Sequence, residues 1–252
     1  MCGRYVVAKT LMDAMPALFE DVGGWEPDLE NFNMTPGTQV PIIHDEHDPR
    51  GTVDRVLDDM YWGLVAAWKK TFKELPKPVN ARIETVATNG MFRDAFRYRR
   101  CIVPASAYYE WVPPVGVGGE PAPKGAKNIP FVVFTGESPE PTEITGGMAF
   151  AGIYEDWIDQ SVPPTDPMRV RRTMAIITRP AMAAPETIHD RMPAMLLPEH
   201  YDRWLGNDLG SAAEAIELLH TATAAVAPSL RVQRRRRRML RRRLLRRQVI
   251  TY

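Results

Sequence analysis

Residues 100–111 read RCIVPASAYYEW and contain two short apolar runs separated by a bend. The runs, 101–104 and 108–111, are too short for helices and rich in β-branched and aromatic residues, which predicts two buried strands. Similar runs recur on both sides of this stretch, at 4–7, 40–43, 53–65, 131–134, 148–154 and 174–178. There is no βαβ alternation and no internal repeat. The chain therefore predicts a single α+β domain with a curved, barrel-like, mostly antiparallel sheet and a few flanking helices.

Helical patterns are few, and they cover residues 11–19, 91–98, 198–204 and 212–220. Thr10 and Ser211 stand where the amino-terminal caps of the first and last helix are expected. Residues 158–172 indicate a surface insertion, and His44 and His47 indicate solvated turn residues.

The composition is that of a globular protein of 252 residues, 44% hydrophobic and 25% charged, long enough for one sizeable core. No apolar run is long enough for a transmembrane helix, and the amino terminus does not resemble a secretory signal. Cys2 and Cys101 are the only cysteines, which excludes a disulfide framework and a Cys-rich zinc site. We expect a cytoplasmic protein in a reducing compartment, with no membrane partner.

The formal net charge of +1 hides an uneven distribution of charge. The last 22 residues hold 11 arginines and no acidic residue, so 21 basic residues face 31 acidic residues in the rest of the chain. An acidic body argues against nucleic-acid binding by bulk charge, so any DNA contact must use a local basic groove. The composition thus divides the chain into a domain over residues 1–232 and an Arg-rich tail over residues 233–252.

Cys2 has a chemical option that an internal cysteine lacks. Removal of Met1, which a small second residue favours, leaves Cys2 with a free α-amine and a thiol on adjacent carbons. Such an aminothiol can form a Schiff base with an aldehyde and then close a thiazolidine ring through sulfur. The reference pKa of an α-amine, about 7.7–8.0, leaves a useful neutral fraction at neutral pH. The alternative is that Cys2 is an ordinary residue next to the initiator methionine.

Three further residues indicate proton transfer or polar recognition. Glu110 lies between aromatic residues, where burial raises the pKa of a carboxyl group and lets it hold a proton near neutrality. His189 lies in a charged, Pro-ended turn and would serve as a proton shuttle. Asn80 follows a proline-stiffened loop. Each of the three also has a purely structural interpretation. Glu110 would be a hydrogen-bonded carboxylate, His189 a turn histidine paired with Asp190, and Asn80 an amide that organises its loop.

Other chemistries are less well supported by the sequence. The motifs HExxH, GxSxG and GxGxxG and the Walker loop are absent, and the scattered histidines have no metal-ligand spacing. We therefore expect no metal and no cofactor. Arg4 and Arg82 are candidates for binding phosphate.

Seven segments in order resemble the SRAP family, the SOS-response-associated peptidase-like proteins. They are MCGRY at 1–5, NMTPG at 33–37, WGLV at 62–65 with Trp68, NARIET at 80–85, RCIVP at 100–104 with YEW at 109–111, FAGIY at 150–154 with Trp157, and IHDRMP at 188–193. No single segment is decisive, but seven in the family's order, over roughly residues 2–230, are specific.

The resemblance implies a protein that recognises abasic sites in single-stranded DNA and cross-links to them. The ring-opened abasic site supplies the aldehyde, and the product is a thiazolidine at Cys2 that shields the lesion. Family roles imply that Asn80 orients the sugar-derived chain and that Glu110 shuttles protons in ring opening and thiazolidine formation. His189 would assist proton transfer at the Schiff base, in formation and in reversal. The protein would act as a monomer, associated with the nucleoid when bound to DNA.

The same resemblance implies a DNA-binding surface. Arg4 and Arg82 would neutralise phosphates, Trp68 would stack on a flanking base, and Asn33 and Pro36 would shape the floor of the pocket. The chain departs from many relatives before Trp68, where it has two alanines in place of a Pro-Gly or Pro-Ser pair.

The larger departure is the tail, where arginines replace the segment by which a relative returns to its core. An abrupt switch of this kind indicates either a reading-frame change or a genuine basic arm, disordered or helical, for the DNA backbone. Two alternatives to covalent cross-linking remain at this stage. One is a cysteine-type peptidase with Cys2 as nucleophile and His189 as base, and the other is a non-covalent binder of single-stranded DNA.

Overall fold

A computed structural model describes residues 2–20, 22, 30–47, 50, 53–114, 123, 125–140, 143–206 and 209–235. Its strands are β1 (Tyr5–Val7), β2 (Asn31–Met34), β3 (Gln39–His47), β4 (Val53–Trp62), β5 (Asn80–Arg82), β6 (Arg100–Ala105), β7 (Ala107–Val112), β8 (Ile129–Phe134), β9 (Met148–Ile158), β10 (Val170–Pro180), β11 (Arg191–Pro193), β12 (Met195–Leu196) and β13 (Arg231–Arg234). Its α-helices are α1 (Leu11–Ala14), α2 (Pro16–Phe19), α3 (Arg93–Tyr98), α4 (Tyr201–Leu205) and α5 (Ala212–Val226). Most of the predicted tail, residues 236–252, lies outside the described residues.

Five strands close into a barrel in the order β10, β4, β3, β6 and β9, with β9 pairing back to β10. Every pairing in this ring is antiparallel except that between β4 and β10. A barrel this small has room only for side chains, and its apolar strands supply buried residues such as Ile42, Phe150 and Ile176, which the register places on one face of the sheet. The predicted α+β fold with a barrel-like, mostly antiparallel sheet is confirmed.

A second, antiparallel sheet has the strand order β13-β8-β7-β1-β2. The bend in residues 100–111 joins the two sheets, because β6 belongs to the barrel and β7 to the second sheet. Ser106 fixes this bend: its amide donates to the carbonyl of Val6, and its hydroxyl accepts from the amide of Ala8. The stretch therefore holds the amino-terminal strand β1 against the barrel.

The helices differ from the predictions mainly at their ends. Thr10 does not cap a helix; its hydroxyl donates to the carbonyl of Ile144 instead. Pro16 has no amide proton, so the predicted single helix is divided into α1 and α2. Ser211 does cap α5, accepting from the amide of Glu214 at 3.1 Å, but α5 runs to Val226.

Two further expectations are wrong. Residues 158–172 are not a separate insertion, because β9 extends to Ile158 and β10 starts at Val170, so the two strands form one long hairpin. His44 is not solvated: it lies in β3, is almost fully buried and packs on the ring of Tyr154. His47 also lies in β3 rather than in a turn.

Candidate active site at the amino terminus

Cys2 lies directly before β1 and is fully buried in the main core cluster. The amide of Tyr109 donates to the carbonyl of Arg4 at 2.8 Å, and Tyr5 pairs with Tyr108. Continuing this antiparallel register by two residues brings Gly3 level with Glu110 on β7. The second sheet thereby carries the amino-terminal residues to the carboxyl end of β7.

The thiol of Cys2 is held in its protonated form. Burial raises its pKa well above the ordinary value, and the negative charge of Glu110 raises it further. A hydrogen bond from the amide of Arg4 opposes this shift without cancelling it. Because the thiolate is the nucleophile of a thiol peptidase, this environment does not suit a peptidase.

Asn80 contacts Cys2 directly. Its side-chain amide donates to the carbonyl oxygen of Cys2 at 2.9 Å. The strand β5 pairs in parallel with β10, with Asn80 opposite Ile176, and this pairing fixes the position of the side chain. The amide oxygen Oδ1 of Asn80 is buried and accepts no hydrogen bond from the described residues. A buried acceptor without a hydrogen-bond donor favours the binding of a hydroxyl or ammonium group of a ligand.

Glu110 is 4% exposed, on β7, and close enough to Cys2 to influence its thiol. Burial raises the pKa of its carboxyl group, and nearby positive charge, including that of His189, opposes the shift. The sequence-based expectation of a raised pKa at Glu110 is thus confirmed. A carboxyl group of this kind can donate and accept a proton closer to neutral pH.

His189 lies in the loop before β11, with its side chain 26% exposed. Its ring atom Nδ1 accepts from the amide of Arg191 at 2.9 Å and lies 2.8 Å from the carboxylate of Asp190. In the neutral ring the first contact leaves the proton on Nε2. In the charged ring Nδ1–H can turn to Asp190 instead. The two contacts together supply a partner for both protonation states.

Glu84 and Arg191 connect the segments of Asn80 and His189. The guanidinium of Arg191 makes bonds of 2.6 and 3.1 Å to the two carboxylate oxygens of Glu84, and one of 2.7 Å to the carbonyl of Thr178. The bond from Arg191 holds the pKa of Glu84 below its ordinary value. Sequence reasoning did not select this pair, although both residues lie inside the quoted segments 80–85 and 188–193.

Two buried tyrosines were also missed. Tyr5 and Tyr108 face each other across β1 and β7, and neither hydroxyl has a hydrogen-bond partner among the described residues. Burial raises the pKa of both phenols, and the charge of Cys2 adds to the shift, so both hydroxyls lie in the electrostatic surroundings of the thiol. Their positions beside Cys2 and Glu110 in sequence were the available signal.

The two arginines proposed for phosphate binding differ in exposure. Arg4 is half-buried, with its guanidinium carbon 5.1 Å from the centre of the Trp111 ring. Arg82 is exposed at the end of β5, and its position two residues after Asn80 puts both side chains on the same face of the strand.

Three other proposed DNA contacts lie away from Cys2 in the chain. Trp68 is 61% exposed, in the segment between β4 and β5. Asn33 is half-buried in β2, and Pro36 is exposed in the turn that follows. Among the described residues, no hydrogen bond, ion pair or ring contact joins Trp68, Asn33 or Pro36 to Cys2.

The segment around Trp68 is both basic and aromatic. The centre of the Phe72 ring lies 4.0 Å from the ammonium nitrogen of Lys77 and 4.9 Å from the guanidinium carbon of Arg171. The ammonium group of Lys69 donates to two carbonyls of its own loop, those of Glu74 and Pro76. These bonds stiffen the loop that presents Trp68 to solvent.

Among the described residues, no helix is long and apolar enough to cross a membrane. Within the same residues, no group of three or more His, Cys, Asp or Glu side chains is arranged to hold a metal ion.

Several known proteins are similar to the chain in sequence. It is 31% identical over 210 residues to the abasic site processing protein YoqW of Bacillus subtilis (strain 168), over 81% of this chain and 80% of YoqW. It is 28% identical over 224 residues to the abasic site processing protein YedK of Escherichia coli (strain K12), over 86% and 85% of the two chains. The abasic site processing protein HMCES of Xenopus tropicalis is 24% identical over 209 residues, which cover 75% of this chain and 58% of HMCES.

Solved structures share the fold. A crystal structure of a protein from Bacteroides thetaiotaomicron superposes with a TM-score of 0.67 at 22% identity, over 95% of this chain and 94% of the other. One from Bordetella bronchiseptica gives a TM-score of 0.64 at 17% identity, over 93% and 100%. The family model for SOS response associated peptidase (SRAP) matches residues 1–236, which include Cys2, Asn80, Glu110 and His189. With nearly all of the described fold inside that match, the chain belongs to the SRAP family.

Proposed function

We propose that this protein recognises abasic sites in single-stranded DNA and cross-links to them through a thiazolidine at Cys2, after Met1 has been removed. The observation that carries the proposal is the setting of Cys2, whose carbonyl is bound by Asn80 and whose thiol is within the influence of Glu110. The names of YoqW, YedK and HMCES support the substrate, because each is an abasic site processing protein.

The reaction begins at the α-amine of the processed Cys2. The nitrogen lone pair attacks the aldehyde carbon of the ring-opened abasic site and gives a carbinolamine. Protonation of its hydroxyl expels one water and leaves an iminium ion. The sulfur then attacks the iminium carbon, and the thiol proton leaves to a base as the ring closes. The sum is aldehyde plus aminothiol giving thiazolidine plus one water, without oxidation or reduction.

The order of these steps follows from the pKa of the two nucleophiles. The thiol of Cys2 has a raised pKa because it is buried, so it is protonated at neutral pH. An amino-terminal amine has a reference pKa of about 7.7–8.0 and supplies neutral nucleophile under the same conditions. The amine therefore attacks first, and the thiol needs a base when the ring closes.

Glu110 is the group best suited to move protons in this sequence. Its raised pKa allows the carboxylic acid to protonate the departing hydroxyl, and the resulting carboxylate can take the thiol proton. Asn80 would orient the sugar-derived chain by offering its unused Oδ1 to a hydroxyl or to the reacting nitrogen. His189, with a partner for either protonation state, would assist at the Schiff base in formation and reversal.

Binding of the flanking DNA would follow the general logic of single-strand recognition. Arg4 and Arg82 would neutralise phosphates on either side of the lesion, and exposed Trp68 would stack on a base. Asn33 and Pro36 would shape the pocket floor.

The peptidase alternative is weakened by the same environment. A thiol peptidase needs a thiolate, whereas both burial and the charge of Glu110 disfavour that form of Cys2.

A denaturing gel tests the proposal. Processed protein mixed with a single-stranded oligonucleotide bearing one abasic site should give a slower, denaturation-resistant band. Cys2→Ala should give none, and neither should DNA whose abasic aldehyde has been reduced to an alcohol. Absence of the band with processed wild-type protein would overturn the proposal. A band that survives Cys2→Ala would show that another nucleophile acts.

A further inference from the structure

Tyr108 has a buried hydroxyl group that the proposed mechanism does not use. The residue lies in β7 and has no exposed surface. Its hydroxyl has no hydrogen-bond partner among the residues that the structure describes. A buried polar group in this state destabilises the folded protein. A ligand that supplies the missing partner would explain why a tyrosine, and not a phenylalanine, occupies this position.

The ring of Tyr108 is fixed by its neighbours. It packs edge-on against Phe150, with the ring centres 5.8 Å apart and the planes at 84°. Its backbone is paired on both sides, with Tyr5 of β1 and with Val133 of β8. Tyr5 contacts the same phenylalanine at 6.3 Å between ring centres and packs on Trp62 at 5.4 Å. A ring held in this way keeps its hydroxyl at one place.

That place is close to the reacting groups. Tyr108 and Glu110 are two residues apart in β7, so their side chains project from the same face. Burial raises the pKa of the Tyr108 phenol, and the charges of Cys2 and Glu110 raise it further. The hydroxyl is therefore within electrostatic range of both groups and stays protonated at neutral pH. Cys2 is itself fully buried, so an aldehyde that reaches it enters the same enclosed space.

Tyr5 is less suitable for contact with a ligand. Its hydroxyl is also buried without a partner among the described residues. Besides burial and the charge of Cys2, however, the charges of Asp59 and Cys101, both on barrel strands, raise the pKa of its phenol. The Tyr5 hydroxyl therefore lies towards the barrel, whereas that of Tyr108 lies towards Glu110.

We propose that the hydroxyl of Tyr108 donates a hydrogen bond to the hydroxyl oxygen of the ring-opened abasic sugar and so selects a hydroxylated aldehyde over a plain one. Ring opening converts the ring oxygen into a hydroxyl group three carbons from the aldehyde, which keeps this oxygen near Cys2 when the aldehyde carbon bonds there. The buried Oδ1 of Asn80 can accept a proton from a sugar hydroxyl in the same space. Tyr108 determines specificity and forms no covalent bond. The inference rests on the proposed function for its substrate.

The stability of Tyr108→Phe is the first test. The substitution keeps the ring against Phe150 and removes a hydroxyl without a partner, so the thermal unfolding midpoint should stay the same or rise. Tyr109→Phe is the matched control. Tyr109 projects from the opposite face of β7 into a second apolar cluster, and its hydroxyl is bonded to Arg235, so its loss should lower the midpoint. A lower midpoint for Tyr108→Phe than for wild type would show that the protein satisfies this hydroxyl, and would overturn the proposal.

Binding of two single-stranded oligonucleotides tests the selection directly. One carries an abasic site reduced with borohydride, which is an open chain that keeps its hydroxyl groups and cannot cross-link. The other carries a propanediol spacer, which has no hydroxyl group. Fluorescence anisotropy with the full chain gives Kd for each. Tyr108→Phe should weaken binding of the reduced site about 3- to 10-fold, the effect of one neutral hydrogen bond, and leave binding of the spacer unchanged. Tyr109→Phe should keep the preference of wild type.

Single-turnover cross-linking completes the test. Tyr108→Phe should slow the reaction with abasic DNA by about the same factor, and it should not slow the reaction with an oligonucleotide that carries an alkyl aldehyde without hydroxyl groups. Equal slowing of both reactions, or an unchanged preference for the reduced site, overturns the proposal. Wild-type protein that forms no covalent band, but prefers the reduced site through Tyr108, would sink the cross-linking proposal and leave the hydroxyl contact standing.

Discussion

The side-chain amide of Asn80 donates a hydrogen bond to the main-chain carbonyl of Cys2, with 2.9 Å between nitrogen and oxygen. The two residues are 78 positions apart in the chain. The contact joins the strand β5, held by the barrel strand β10, to the amino terminus, held by the second sheet. The two sheets therefore meet at the residue that carries the proposed chemistry.

Asn80→Ala removes both this donor and the unused acceptor Oδ1. We expect the single-turnover rate of cross-linking to fall about 10- to 100-fold, because one oriented hydrogen bond in a buried site contributes about 1–3 kcal/mol. The rate is measured by rapid mixing with excess abasic DNA and denaturing electrophoresis. Asn128→Ala, at an exposed amide directly before β8, is the control and should react at the wild-type rate. Equal rates for Asn80→Ala and wild type would remove Asn80 from the mechanism.

Glu110→Gln should lower the cross-linking rate and raise stability at the same time. Loss of the proton carrier should slow the reaction about 10²- to 10⁴-fold. The folded-state pKa of Glu110 is raised, so ionisation opposes folding: the stability that its protonated form contributes is lost as pH rises through that folded pKa. Glutamine cannot ionise, so we expect it to raise the unfolding free energy at pH 7.

The pH dependence provides the check on Glu110. Urea unfolding at a series of pH values should show the advantage of Glu110→Gln growing with pH and vanishing below the ordinary carboxyl range. An advantage that is constant across pH would mean that packing, and not ionisation, accounts for it.

Glu84→Gln should disturb the segment of His189 more than the fold. The substitution breaks the paired bonds from Arg191, whose amide contacts His189, so we expect a slower reaction and a loss of about 1–2 kcal/mol in stability. The folded pKa of Glu84 is lowered, so its contribution is present above the ordinary carboxyl pKa and is lost as pH falls through the folded value. Thermal unfolding at pH 7 and in mild acid measures both effects. Arg203→Gln, which breaks an exposed pair with Glu214, is the comparison and should cost less in stability.

His44 should make the protein sensitive to mild acid. Burial lowers its folded pKa, and Arg172 lowers it further, against the opposing charges of Glu46 and Asp58. Stability from the neutral ring is therefore complete above the ordinary histidine pKa, near 6.5, and is lost as pH falls towards the folded value. We expect the unfolding free energy to fall by up to about 1.4 kcal/mol per pH unit in that window. His44→Phe, which keeps a ring against Tyr154, should flatten the curve; an unchanged curve would exclude His44 as the cause.

The local sequence pattern predicted where the strands and helices lie better than it predicted which strands pair with each other. The apolar runs around Cys101 and Tyr108 became β6 and β7, and Ser211 capped a helix as its position indicated. The barrel itself depends on which strands pair, and only its general type followed from the number of short strands. His44 was misjudged because its polar neighbours suggested a turn, whereas pairing across β3 and β4 buries it.

The candidate site likewise contains some residues that the sequence predicted and others that it did not. Cys2, Asn80, Glu110 and His189 were selected by chemistry and by family resemblance, residue by residue. The pair of Glu84 with Arg191 and the buried hydroxyls of Tyr5 and Tyr108 become visible only when distant segments are placed together. A salt bridge over 107 positions has no local signature, and a tyrosine in an apolar strand does not reveal whether its hydroxyl is satisfied.

The intact mass of the protein, measured with and without abasic single-stranded DNA, tests the central claim most directly. The account predicts that the protein alone has lost Met1, and that after reaction it carries the mass of the oligonucleotide less one water. Cys2→Ala should lose Met1 as well and gain no mass. Processed wild-type protein that gains no mass, or an adduct that forms while Met1 is still present, would contradict the thiazolidine at Cys2.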